Sequence, residues 1–217
     1  MSKGISYLLC FVITIAFGSS AYGQGDTTAG KQKAALCAGC HAEDGNSTTP
    51  IFPRLAGQHE KYLIRQLADF KNGKRTDPTM QAMAAGLSDE DMKDLGAFYE
   101  SQSPKYAKQN EEQYLDDDEE IPVTKKLIAK GKALFIAGNE ETTVAACNAC
   151  HGSRGSGNGP AGFPAVKGQY LPYLIKSLND FRDGLRENDD GAMMRTIAGR
   201  MSRAEINAVS AFLSSLR

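Results

Sequence analysis

The chain has 217 residues, with 25 Lys and Arg against 26 Asp and Glu, 41% hydrophobic residues, five cysteines and no tryptophan. A formal net charge of −1, with no basic stripe interleaved with aromatics, excludes a surface built to grip nucleic acid. The length is generous for one small domain and comfortable for two.

Residues 1–23 read as a secretory signal: Lys3 supplies the charged end, Ile5–Phe17 the apolar run and Ala21-Tyr22-Gly23 the small-residue cleavage site. The apolar run is shorter than the ~20 residues a spanning helix needs, so cleavage near Gly23 is expected, a retained anchor being the alternative. The mature chain then begins near Gln24 in an exported, periplasmic compartment, with peripheral membrane association left open. Cys10 goes with the signal, and Cys37, Cys40, Cys147 and Cys150 remain.

From Gln24 to Ser103 the pattern is short helices joined by loops. A helix from about Ala29 leads into Cys37-Ala-Gly-Cys40-His41, and a second follows Tyr62 and stops at Gly73, a suitable C-terminal cap. A third opens on Ser88 with Asp91 three residues later, a capping-box pattern, and carries the apolar stripe Met92, Leu95, Phe98, Tyr99. Pro104–Val123 is acidic and poor in apolar groups, and is expected to be a surface linker. Thr124–Arg217 then repeats the first half. Phe52–Gly73 returns without a gap as Phe163–Gly184, the helix start at Ser88 returns at Ser202 with Glu205, and a second Cys147-Asn-Ala-Cys150-His151 follows a helix that begins near Thr124. No strand alternation stands out, so the expected fold is all-α: two tandem domains, 24–103 and 124–217, produced by internal duplication.

In an oxidising compartment four cysteines would ordinarily suggest disulfides. Cys-x-x-Cys followed at once by histidine is instead the attachment signature of a c-type haem. The cysteines bond covalently along one edge of the macrocycle, and the adjacent histidine is carried over the iron. A dithiol redox site or a zinc knuckle would not account for histidine after both pairs. Two haem c groups are therefore expected, held by Cys37, Cys40, Cys147 and Cys150, with His41 and His151 on iron. Each domain alone would have a marginal core, so haem binding and folding are expected to be coupled.

The sixth ligand decides between a closed carrier and an open, reactive iron. Superposing the copies at Ser88 and Ser202 lays Met80 on Met194, whereas Met83 falls on Ile197, Met92 on Ile206, Leu87 on Met201 and Thr79 on Met193. Only one register matches methionine to methionine, which selects Met80 and Met194 and leaves the other four to packing. Pro53, twelve residues after His41, and Pro164, thirteen after His151, are candidates to present a carbonyl to the second ring nitrogen. His59, opposite Tyr170 in the repeat, reads as a partly exposed helix-entry residue. Gly155–Gly159 lacks the preceding strand of a phosphate loop and reads as a haem-edge loop.

Two Cys-x-x-Cys-His domains, Phe-Pro…Gly-Gln…Tyr in both, and a methionine seven residues before Leu87-Ser88 or Met201-Ser202 together resemble the cytochrome c4 family. The resemblance covers nearly all of the mature chain and implies His41/Met80 and His151/Met194 ligation. It further implies a periplasmic one-electron carrier between a respiratory donor such as a bc1-type complex and a terminal oxidase, and domains packed about a pseudo-twofold axis. The long acidic linker and the extra segment Ala137–Ala146 depart from the pattern. A di-haem peroxidase, and a cytochrome subunit of a sulfide-oxidising flavoprotein or an oxidase, are the rival expectations. Gln24–Ser103 holds nine basic and eleven acidic residues, Pro104–Val123 two and seven, Thr124–Arg217 thirteen and eight. This polarity suits orientation against a charged redox partner, and the basic second half should favour the reduced state.

Overall fold

The computed structural model describes residues 25–106, 114–116 and 119–217. The signal segment and much of the acidic linker lie outside the described residues. The first domain contains α1 (Thr27–Lys33), α2 (Ala38–His41), α3 (Glu60–Lys71), α4 (Pro78–Ala84) and α5 (Asp89–Ser101). The second contains α6 (Lys125–Ala137), α7 (Asn148–His151), α8 (Leu171–Arg182), α9 (Met193–Ala198) and α10 (Arg203–Ser215).

Helix ends follow local chemistry. Ser88 and Asp91 form a reciprocal capping box at α5, and Ser202 and Glu205 do so at α10. Asp26 and Thr124 cap α1 and α6. Beyond α3 and α8 the chain turns through Gly73 and Gly184, both at φ 72°, a left-handed position that glycine adopts without a Cβ penalty.

In each domain the first helix crosses the last at a glycine. A Cβ on Gly30 would lie 2.0 Å from the Asp94 carbonyl oxygen, and one on Gly131 would lie 1.9 Å from that of Ala208. The crossing brings α1 onto α5 and α6 onto α10, and α3 and α8 close the cores from the other side. Leu63, Leu95, Phe98 and Tyr99 form one core; Leu134, Phe135, Leu174, Ile206, Val209 and Phe212 are among those that form the other. Each such large side chain contributes about 1.5–3 kcal/mol by leaving water.

Two features differ from the sequence expectation. Within the linker, Tyr114–Asp116 and Glu119–Ile121 pair as two antiparallel strands, β1 and β2, with Tyr114 opposite Ile121. Strands this short show too little alternation to be read from sequence. The extra segment folds back on itself: Asn139 and Val144 exchange both backbone hydrogen bonds at 2.9 Å. Gly138, at φ 71°, starts this turn where a Cβ would meet the Val144 carbonyl at 2.3 Å.

The halves meet through matched contacts. Arg75 donates to Tyr173 Oη at 3.1 Å and Arg186 donates to Tyr62 Oη at 3.2 Å, each guanidinium also lying over its own domain's Phe70 or Phe181 ring. His59 Nε2 donates to the Ser156 carbonyl at 2.8 Å, and its counterpart Tyr170 donates to the Ser47 carbonyl. The symmetry is broken at Arg54, a buried residue facing the rings of Tyr106 and Tyr170, where the second copy has Ala165.

Candidate haem sites

Each motif forms one short helix with its first cysteine at the N-cap. The amides of Cys40 and His41 both bond the Cys37 carbonyl, at 3.2 and 3.0 Å; those of Cys150 and His151 bond the Cys147 carbonyl at 3.3 and 3.0 Å. One helical turn separates the two thiols, which places them along one side, and the histidine follows at about 100° round the axis. α2 then ends on Ala42 at φ 62°, ψ 164°, where α7 ends on Gly152 at φ 74°.

His41 Nδ1 lies 2.9 Å from the Pro53 carbonyl and His151 Nδ1 lies 3.0 Å from that of Pro164. A carbonyl can only accept, so Nδ1 carries the proton in both rings and Nε2 keeps its lone pair, the tautomer of a metal-bound imidazole. Burial lowers both imidazole pKa values, outweighing the carbonyl bonds that raise them. Both rings are therefore neutral at neutral pH. The carbonyl contact expected of the two prolines is present in both copies.

All four cysteines are free of disulfides. Burial pushes the Cys37 thiol up and the Cys147 thiol up to about 11.

Met80 lies in the first turn of α4, where its amide donates to Asp77 Oδ1 at 2.9 Å, and its side chain is half-buried. Met194 lies in α9, also half-buried, while its neighbour Met193 is 42% exposed. Met92 and Met201 are core residues, as expected, but Met83 and Met193 are exposed rather than packed. Neither methionine-bearing helix was expected from the sequence. Asp77-Pro78, a capping residue followed by proline at the first helical position, was the available signal for α4. No equivalent exists for α9, which is entered through Gly191 and Ala192 in left-handed conformations.

Two thiols a turn apart beside a neutral imidazole whose Nε2 keeps its lone pair fit a c-type haem, which the cysteines would bond and the histidine would ligate. The repeated helical fold and this repeated donor set define a two-domain c-type cytochrome.

The family model for cytochrome c matches residues 27–103 and 128–217. Cytochrome c4 of Pseudomonas aeruginosa is 39% identical over 210 residues, covering 96% of this chain and 98% of the relative. The crystal structure of reduced cytochrome c4 from Pseudomonas stutzeri superposes with a TM-score of 0.77 at 38% identity, over 89% of this chain and 100% of that one. A protein of Stutzerimonas stutzeri named thiosulfate dehydrogenase electron acceptor is 36% identical over 96% of this chain and 90% of its own length. The chain belongs to the cytochrome c4 family: it is an electron carrier with two covalently bound haem c groups.

Proposed function

We propose that His41 with Met80, and His151 with Met194, ligate the two irons, and that the protein is a periplasmic carrier delivering electrons from a respiratory donor such as a bc1-type complex towards a terminal oxidase. The observation that carries the ligand assignment is the pair of neutral imidazoles, His41 buried and His151 half-buried, each with Nδ1 engaged by a proline carbonyl and Nε2 left for metal. Bound haem supplies one-electron chemistry, its iron alternating between ferrous and ferric. The chain's residues hold each imidazole in one orientation, keep water from the ring, and present a thioether that favours the reduced state. Among the described residues no helix is long and apolar enough to cross a membrane, so any membrane association rests on charge or on the leader.

Haem content and the oxidised absorption spectrum test this reading. Two haems per chain with a far-red methionine-to-iron band, halved in Met80→Ala, halved in Met194→Ala and lost in the double variant, is the expected result. Retention of the full band in either variant, or substantial peroxide turnover by the intact protein, defeats it. The relative named as an electron acceptor of thiosulfate dehydrogenase favours a second reading, in which a dehydrogenase is the donor; stable co-purification with such a chain supports that one.

A further inference from the structure

Gln58 and Gln169 occupy the same position in the two copies, immediately before α3 and α8, and both are buried, at 6% and 7% exposure. Neither side chain serves its own domain's histidine. Gln169 Oε1 accepts from the Arg54 amide at 2.8 Å while its Nε2 donates to the Arg54 carbonyl at 3.0 Å. Gln58 Oε1 accepts from the Ala165 amide at 2.9 Å while its Nε2 donates to the Ala165 carbonyl at 2.9 Å. Because a backbone N–H and C=O cannot exchange roles, both side-chain amide orientations are determined. Each Oε1 also accepts the next amide of its own chain, from His59 at 3.1 Å and Tyr170 at 3.0 Å, which pins the rotamer.

The peptide group that each glutamine grips is the one that orients the other domain's histidine. In the Pro53–Arg54 peptide, the carbonyl accepts from His41 and the N–H donates to Gln169. In Pro164–Ala165, the carbonyl accepts from His151 and the N–H donates to Gln58. An amide whose N–H is engaged becomes a stronger acceptor at its oxygen, since successive hydrogen bonds polarise one another. A stronger acceptor at Nδ1–H makes the imidazole a more basic ligand, which stabilises ferric iron.

We infer that Gln58 and Gln169 are crossed positioning residues: Gln58 lowers the reduction potential of the haem in the second domain, and Gln169 lowers that of the haem in the first. The inference rests on His41 and His151 being iron ligands.

The test uses the intact di-haem protein with Gln58→Met and Gln169→Met, near-isosteric changes that remove both bonds. In the ferrous state, a strongly ring-current-shifted Nδ1–H proton resonance on each histidine establishes ligation whether or not the substitution moves it, so failure of the ligand assignment is seen separately. Gln58→Met is expected to move the His151 resonance upfield and leave that of His41, and Gln169→Met to do the reverse. Domain-resolved redox titration should show the opposite-domain haem shifted by about two- to fivefold in its ferrous-to-ferric ratio at fixed potential, about 20–40 mV upward at 59 mV per decade. Lys61→Ala, which removes a peripheral cross-domain bond to the Pro160 carbonyl, should move neither. Simple loosening of the interface would give the same pattern in both glutamine variants and in the lysine variant. That outcome, a shift confined to the substituted domain, or no shift, overturns the inference.

Discussion

The two domains hold the same crossing of first and last helix by different means. In the first, Lys33 reaches across to Asp94 Oδ2 at 2.6 Å and Asp91 at 3.0 Å, and Asp94 is buried and also accepts the Asp26 amide. In the second, the matching positions are Leu134 and Ala208, both buried and apolar. What stays constant is the glycine at the crossing and the carbonyl over each histidine. Duplication thus preserves the geometry that places each histidine and leaves its means of support free to diverge.

The comparison breaks most visibly at the shared glycines. Gly30→Ala and Gly131→Ala each drive a methyl group into a backbone carbonyl, and each should cost about 3 kcal/mol, read as thermal unfolding of the holoprotein. A large loss in one domain with none in the other would mean that the crossings are not equivalent. Lys33→Leu leaves Asp94 buried without its partner, whereas Lys33→Leu with Asp94→Ala copies the second domain. The double variant should be the more stable of the two in denaturant titration, since a buried carboxylate that has lost its counter-charge costs more than an apolar replacement.

Backbone strain sharpens the contrast on a smaller scale. Ala42 holds a conformation that is essentially reserved for glycine, and Gly152 is what the second domain uses there. Ala42→Gly should stabilise the first domain by about 1 kcal/mol, and Gly152→Ala should destabilise the second by a similar amount; equal and opposite melting shifts would check both.

Acid should separate the domains more gently. Hydrogen bonds from Ser88, joined by Lys33, hold the Asp91 carboxyl down at about 2, and Lys33 with the Asp26 amide lowers that of Asp94. A depressed carboxyl pKa contributes stability that is complete above the unfolded value near 4 and is lost as pH falls through the folded value. Hydrogen exchange at α1 and α5 should therefore rise between about pH 4 and pH 2. At the α6–α10 crossing, where Leu134 replaces the lysine, exchange should change less over the same window, apart from the capping carboxyl of Glu205, which is itself lowered. Earlier loss of the second crossing would contradict the assignment.

Most of this was legible in the sequence where the signal was local. The two haem motifs and the capping boxes at Ser88 and Ser202 each occupy a short window with a fixed spacing, the prolines follow their histidines within thirteen residues, and the duplication shows as a gapless repeat. α4 and α9 escaped because helices of seven and six residues scarcely complete two turns, too few for an apolar period. The glutamines were visible as part of the repeat, but their role was not: their partners lie 115 and 107 residues away, and a contact over that distance leaves no periodic trace. The exposure of Met83 and Met193 was hidden for a related reason, since facing outward on a short helix depends on what the helix docks against.

The matched Arg–Tyr and glutamine contacts have a consequence for assembly. An interface in which each half presents the same patch to the other is isologous, the form taken by twofold homodimers, and the matched contacts all join residues of the two domains themselves. A covalent connection between two such halves raises their effective concentration. Cut within the acidic linker, the two holo-domains should remain associated at micromolar concentration and part on dilution, as a dimer of once-separate subunits would.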